Sequence, residues 1–238
     1  MIVSDKVDLN PLNRIDRPVP IVTIASPKGG AGKSTASVIL GTELAHAGAD
    51  VTILDCDPNR SITIWAERRA LPPRIMVRPD LGESDIVRTI KQQDADGRVV
   101  IVDLEGVASR LVSRAISQAD LVLTPMRATT LDATIGVRAL ALIAEEEEAL
   151  GRPIRHAVVF TMTRAIKSKQ HTAIEASLRG QGVDVIQPPL MERAAFSALF
   201  EFGGDLRTIP AQGKMEPAVE NAAAFARAVY TRLVEKRP

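Results

Sequence analysis

Short apolar runs alternate along the chain with amphipathic stretches whose apolar residues recur three and four positions apart. The runs are nearly continuous and end at turn residues, which is typical of strands buried on both faces, whereas the amphipathic stretches predict helices. The longest predicted helix covers residues 131–150. This alternation predicts an α/β fold, a mostly parallel twisted sheet with helices on both faces. The predicted strands are residues 21–26, 51–55, 99–103, 121–125 and 157–161.

Composition and charge remove several classes of protein. The 238 residues suit one large domain, which we place at residues 20–238 after an extended lead-in at residues 1–19. The net charge of +1 argues against a grip on nucleic acid through overall charge, although a local basic patch stays open. The single cysteine, Cys56, excludes a disulfide framework and an intrachain iron–sulfur ligand set. Because we find neither a signal peptide nor a long apolar span, we expect a cytoplasmic protein.

A glycine-rich segment at residues 27–35 follows the first predicted strand, at the point where a helix begins. Its three glycines let successive backbone N–H groups face a phosphate, and the helix start adds free N–H groups and a positive dipole end. Lys33 is placed for the β- and γ-phosphates, Ser34 for Mg²⁺ and Thr35 for an inner phosphate. The segment therefore predicts a site for a nucleoside triphosphate with Mg²⁺. Its binding residues are Lys28, Gly29, Gly30, Ala31, Gly32, Lys33, Ser34 and Thr35.

The loop departs from the common phosphate-loop pattern at its start. A Gly-x-x-x-x-Gly-Lys-Ser match needs glycine at position 27, where this chain has Pro27 followed by a second lysine, Lys28. Because Lys33 already serves the terminal phosphates, Lys28 is hard to explain within one subunit. We predict that Lys28 reaches the nucleotide of a facing subunit and supplies the charge that an arginine finger supplies elsewhere. The alternative is a solvated lysine on a turn.

Two predicted strands end in aspartates, and ligands of parallel α/β sheets lie beyond the carboxyl ends of the strands. Asp57, two residues after Asp55, is the better candidate to orient the attacking water or to help hold Mg²⁺. Asp103 ends a hydrophobic strand and suits a water-mediated contact with Mg²⁺, and the Gly106 N–H could approach the γ-phosphate. Each aspartate alone could instead be a helix cap or a turn residue.

The segment Lys28-Gly-Gly-Ala-Gly-Lys-Ser-Thr35 resembles the deviant Walker A loop of the ParA/MinD ATPases, whose extra lysine is their signature. Residues 55–59 resemble the second motif of that family, and residues 99–103 resemble its Walker B strand. The resemblance spans residues 20–235 or so and implies a single P-loop ATPase domain. It is closest to small ParA-type partition proteins and to the ParA-like protein that assists T-DNA transfer, on residues 103–106 and 195–203.

Two later segments match the family more loosely. Residues 160–164 resemble the strand and turn that precede a basic loop in ParA proteins. Residues 187–193 resemble the segment that flanks the nucleotide base and begins a DNA-facing helix, so that Pro188 and Pro189 are expected beside the base.

The resemblance implies an ATP-driven cycle. ATP with Mg²⁺ drives formation of a homodimer in which Lys28 of each subunit touches the other's phosphate. The dimer binds double-stranded DNA without sequence preference, and a ParB-like or other partner stimulates slow hydrolysis and release, so that a plasmid or other DNA-linked cargo is positioned on the nucleoid. The catalytic residues are then Lys28, Lys33 and Asp57, and the metal residues are Ser34, Asp57 and Asp103.

The basic residues expected to contact DNA lie in the second half of the chain. Because aromatic residues are not interleaved with them, we expect contacts to the backbone of duplex DNA rather than stacking on single strands. The alternative is that they are ordinary solvated charges. The predicted DNA-binding residues are Arg164, Lys167, Lys169, Arg193 and Lys214.

Two rival functions remain on the same scaffold. A MinD-like membrane-positioning ATPase would use an amphipathic terminal helix, but residues 217–238 are alanine-rich and favour a helix packed on the core. We therefore expect no stable membrane association. An ATP-dependent metabolic enzyme would need no Lys28 and should turn over quickly with its substrate in the absence of DNA.

Overall fold

Six parallel strands form one sheet in the computed structural model, which describes residues 20–106 and 109–234. The predicted lead-in at residues 1–19 lies outside the described residues. The strands are β1 (Ile21–Ile24), β2 (Val51–Cys56), β3 (Ile75–Pro79), β4 (Val99–Leu104), β5 (Leu121–Met126) and β6 (His156–Phe160). The helices are α1 (Lys33–His46), α2 (Ser61–Arg68), α3 (Ile86–Ala95), α4 (Arg110–Gln118), α5 (Thr130–Leu150), α6 (Lys169–Gly180), α7 (Ala194–Phe202) and α8 (Glu216–Val234).

The predicted parallel α/β architecture is confirmed. The strand order is β3-β2-β4-β1-β5-β6, and every pair of neighbours is parallel. The sequence pattern missed β3, a sheet-edge strand that is only partly buried and contains Arg78 and Pro79. Proline is tolerated there because one side of an edge strand has no ladder hydrogen bonds to satisfy.

Each face of the sheet carries its own apolar layer. Successive side chains of a strand point to opposite faces, so in β4 Ile101 joins one layer and Val102 the other. The first layer is covered by α1, α2, α7 and α8, and the second by α3, α4 and α5. Helix α8 packs on the first layer through the fully buried Phe225, Ala226 and Val229. Among the described residues, no helix has both the length and the apolar character needed to cross a bilayer.

The sheet topology brings the predicted site together at one edge. Strand β1 lies between β4 and β5, and the chain reverses its direction of winding there, which is where doubly wound sheets bind ligands. The register sets Asp103 beside Ile24 on one side and beside Asp55 on the other. The loop that follows β1 therefore begins next to two carboxyl-bearing strand ends.

Candidate nucleotide-binding site

The loop between β1 and α1 has the form of an anion cradle. Gly30 and Gly32 have φ of 71° and 86°, in the left-handed region that favours glycine. Helix α1 begins directly after Gly32, and the first N–H groups of a helix have no intrahelical partner. A hydrogen bond from a neighbouring segment holds the loop in place, because the Thr161 hydroxyl donates to the Ala31 carbonyl at 2.7 Å. The amides at the helix start can therefore bind a phosphate.

Lys33 completes this cradle with a positive charge. Its side chain is 6% exposed, and its Nζ donates to the Lys28 carbonyl at 3.5 Å. The ammonium group is thus folded back over the loop instead of extending into solvent, which is the position that a phosphate-binding lysine requires.

Ser34 and Asp103, two of the three residues predicted to hold the metal, are hydrogen-bonded to each other. The Ser34 hydroxyl donates to Asp103 Oδ2 at 2.8 Å, and the Ser37 hydroxyl donates to Asp103 Oδ1 at 2.9 Å. Burial raises the pKa of Asp103 to about 7, with Asp55 adding to the rise, while the two serine hydroxyls and Lys33 oppose it. A cation at this position would favour the charged carboxylate.

The donor set fits Mg²⁺, which prefers hard oxygen ligands and is commonly held by one or two protein groups together with substrate phosphates. Within the described residues, no cluster of three or more His, Cys, Asp or Glu side chains could hold a metal ion by itself. Ser34 and Asp103 would therefore bind Mg²⁺ together with nucleotide oxygens.

The structure separates the two aspartates that follow β2. Asp55 is 2% exposed, and its Oδ2 accepts from both the backbone N–H and the hydroxyl of Thr63, at 2.8 and 2.7 Å. Asp55 thus binds the first turn of α2. Asp57 is partly exposed, and its Oδ1 accepts from the backbone and side-chain nitrogens of Asn59, both at 2.9 Å. Asp57 therefore remains the better candidate for the attacking water.

Gly106 is where the segment after β4 meets the phosphate loop. A Cβ atom at this position would lie 2.6 Å from the Ser26 carbonyl oxygen and 2.9 Å from the Pro27 carbonyl carbon. Both neighbours are backbone atoms, so they cannot move aside as a flexible side chain would. The backbone following Asp103 and the loop therefore pack in direct contact.

We expect Gly106→Ala to lower the free energy of unfolding by about 1–3 kcal/mol, because the added methyl group forces these two backbone segments apart. Urea unfolding measures the change. Gly82→Ala is the matched control, since a Cβ atom at Gly82 would meet no atom within 4 Å. Equal urea midpoints for the two variants would contradict the tight contact.

Lys28 has an intrasubunit partner that the sequence argument did not foresee. Its Nζ lies 2.8 Å from Asp132 Oδ1, with Lys28 30% exposed and Asp132 3% exposed. Asp132 is held at the start of α5 by Thr129, whose hydroxyl accepts from the Asp132 backbone N–H and donates to its carboxylate. The sequence signal for this arrangement at the start of the helix is a threonine three residues before an acid.

A cavity of about 110 Å³ opens beside the end of the phosphate loop. Pro188 and Pro189, predicted to flank the base, precede the chain segment that lines it. Its lining consists of Gly32, Thr35, Thr161, Met162, Leu190, Met191, Glu192, Arg193, Phe196 and Ser197.

The basic residues predicted to contact DNA lie in different surroundings. Arg164, Lys169 and Lys214 are exposed. Lys167 forms an ion pair with Glu175 at 2.6 Å. Arg193 lines the cavity beside the phosphate loop.

The fold and the loop define a P-loop nucleoside triphosphatase of the deviant Walker A type. The sequence model of the VirC1 protein family matches residues 19–214, and the chain belongs to that family. It is 63% identical over 219 residues to Protein ParA of Rhizobium radiobacter, covering 91% of this chain and 99% of the relative. It is 27% identical over 193 residues to the virC1 protein of Rhizobium radiobacter, covering 77% and 81% of the two chains.

A solved structure supports the same fold. The complex of a McdA variant from Cyanothece with ATP superposes with a TM-score of 0.72 at 18% identity, covering 92% of this chain and 98% of that one. The predicted resemblance to ParA-like ATPases is therefore confirmed at the level of the family.

Proposed function

We propose that this protein is an ATPase that binds ATP with Mg²⁺, dimerises in the ATP state and binds duplex DNA without sequence preference. Hydrolysis then releases the DNA, and repeated cycles segregate or position a plasmid or another DNA-linked cargo. The observation that carries the proposal is the phosphate loop: a left-handed glycine turn at the start of α1, with the buried Lys33 ammonium folded over it. A similarity of 32% identity over 99 residues to a probable plasmid-partitioning protein ParA of Thermus thermophilus supports the plasmid as cargo.

The residues divide the work in a defined way. The amides at the start of α1 and Lys33 bind the phosphates, and Ser34, Asp103 and Asp57 would hold Mg²⁺. Asp57 orients the attacking water. Bound Mg²⁺ would supply neutralisation of phosphate charge and polarisation of the terminal phosphoryl group.

Lys28 links hydrolysis to dimerisation. In the subunit described here its ammonium is paired with the buried Asp132 carboxylate, so it must leave that partner before it reaches a facing subunit's nucleotide. The phosphates of a second subunit offer more negative charge than one carboxylate, which favours the exchange. ATP hydrolysis would then be slow in the monomer and faster in the dimer.

DNA binding follows from the exposed basic residues of the second half of the chain. If each subunit of the dimer supplies three phosphate contacts, for example through Arg164, Lys169 and Lys214, log K falls with log salt with a slope of about −5. A nearly neutral monomer would bind poorly, so nucleotide-driven dimerisation controls DNA binding. This protein would then be cytoplasmic and nucleoid-associated, with a ParB-like or other partner that stimulates release.

The decisive experiment measures duplex DNA binding with ATP, with ADP and without nucleotide over a salt series. We expect DNA binding only in the presence of ATP, and we expect the affinity for DNA to fall steeply with salt. An Arg164→Ala/Lys169→Ala double variant should have a lower affinity for DNA. Its slope of log K against log salt should be less negative by about 2–4 for the dimer. Arg88→Ala, which removes an exposed arginine from α3, is the control. Equal binding in all three nucleotide states would refute the switch.

Membrane association is not part of the proposal. The apolar face of α8 is buried against the sheet and is not available as an anchor. Liposome flotation with ATP checks this point, and flotation of the wild-type protein would favour a MinD-like function.

A further inference from the structure

Arg193 carries a buried nitrogen that the described residues leave without a hydrogen-bond partner. The residue precedes α7 and is half-buried, and its Nε atom has no hydrogen-bond partner among the described residues. A terminal nitrogen of the same guanidinium donates to the Met191 sulfur at 3.4 Å, and a thioether is a weak acceptor. Arginine stays charged at all ordinary pH values, so it cannot relieve this situation by losing its proton.

This arrangement of Arg193 costs free energy unless a ligand supplies the missing hydrogen-bond acceptor. Burying a charged N–H donor without an acceptor forfeits the hydrogen bonds that the group makes in water. Arg193 lines the cavity of about 110 Å³ that also borders Gly32 and Thr35 at the end of the phosphate loop. The missing acceptor is therefore expected to arrive in that cavity.

The other walls of the cavity describe the ligand. Leu190, Met191 and Phe196 supply apolar surface. Polar side chains are added on the loop side by Thr35 and Thr161 and on the α7 side by Glu192 and Ser197. Apolar walls with a small number of polar groups are typical of sites for small organic ligands. Since the cavity is continuous with the residues expected at the inner phosphate, a nucleoside extending from the loop fits this description.

We propose that Arg193 contacts the nucleotide and is not a DNA-binding residue. Its N–H groups donate to an acceptor of the bound nucleotide, either an inner-phosphate oxygen or an atom of the nucleoside. This inference rests on the proposed function, because it takes the phosphate loop to be a nucleotide site. A guanidinium suits the task, since its planar set of donors can make two parallel hydrogen bonds. A contact to a DNA phosphate would use an exposed group such as that of Arg164 instead.

Calorimetric titration of the full chain with Mg-ADP tests the proposal without any need for turnover. We expect Arg193→Ala to raise the Kd by roughly ten-fold to one-hundred-fold, which is the range for a hydrogen bond to a charged group. Arg193→Lys, which keeps the charge but loses the planar donors, should also bind more weakly than wild type and serves if the alanine variant does not fold. Arg88→Ala, which removes an exposed arginine from α3, is the control and should keep the wild-type Kd.

Two further titrations locate the acceptor. A loss of affinity for adenosine as well as ADP would place the contact on the nucleoside, and a loss for ADP and pyrophosphate would place it on a phosphate. DNA binding at saturating ATP should be unchanged in Arg193→Ala.

The outcomes separate this inference from the proposed function. Unchanged ADP affinity in both Arg193 variants, with wild-type protein that binds ADP, would overturn the inference alone. Reduced DNA affinity at saturating ATP together with unchanged ADP affinity would return Arg193 to the DNA-binding surface. Wild-type protein that binds no nucleotide would overturn the inference and the proposed function together.

Discussion

Lys33→Ala is expected to abolish detectable nucleotide binding and hydrolysis. The ammonium is buried within the phosphate loop and is the charge that we propose binds the terminal phosphates. Its removal takes the positive charge of Lys33 away from the triphosphate, and the loss of a charged hydrogen-bond donor raises the Kd at least roughly one-hundred-fold. Titration with Mg-ATP and phosphate release under saturating ATP are the measurements.

The control for Lys33→Ala is Lys91→Ala, which removes an exposed lysine from α3 and leaves net charge equal in the two variants. Far-UV circular dichroism should show both variants folded. Full ATPase activity in Lys33→Ala would mean that the loop does not hold the phosphates as described, and the proposed cycle would lose its basis.

Lys28→Ala is expected to retain ATP binding and to lower hydrolysis by roughly 1,000-fold, the lower end of what an arginine finger contributes. The reason is that Lys33 and the amides hold the nucleotide within the subunit, whereas Lys28 is proposed to act on the facing one. Light scattering with a slowly hydrolysed ATP analogue should show fewer dimers. Normal turnover by a monomeric Lys28→Ala protein would rule out the role in trans.

Asp132→Asn separates the two partners of Lys28. The substitution keeps the size of the side chain but removes the charge that pairs with Lys28 at 2.8 Å. We expect hydrolysis to persist and dimers to form at lower protein concentration, because Lys28 no longer has to leave a carboxylate. If Asp132→Asn instead loses hydrolysis as fully as Lys28→Ala, the ion pair belongs to the working site and is not merely a resting contact.

Basic residues that look alike in the sequence lie in different surroundings in the structure. Arg164, Lys167 and Arg193 look alike as basic residues, but Lys167 pairs with Glu175 and Arg193 faces a cavity. Ion pairing and side-chain burial distinguish them, and both depend on which elements pack together. For that reason the sequence alone assigned all three to one role.

Local patterns determined the sheet, the phosphate loop and the family. Continuous apolar runs predict strands because each strand must be covered on both faces, and the predicted parallel sheet is the one observed. The glycine spacing determines the backbone geometry of this nine-residue loop, and the lysines at positions 28 and 33 determine its charge. The loop can therefore be recognised without knowledge of any distant contact. The sequence pattern did not predict the edge strand β3, because its partial burial weakens the apolar run.

Tertiary structure alone decided which distant groups meet. The pairing of Lys28 with Asp132 joins the phosphate loop to the start of α5, and only the order of strands brings those segments together. Asp55 binds the first turn of α2, although its place at a strand end suits a metal as well. The physical reason is the same in both cases. The role of a charged side chain depends on the groups that surround it once water is excluded, and those groups are remote in the sequence.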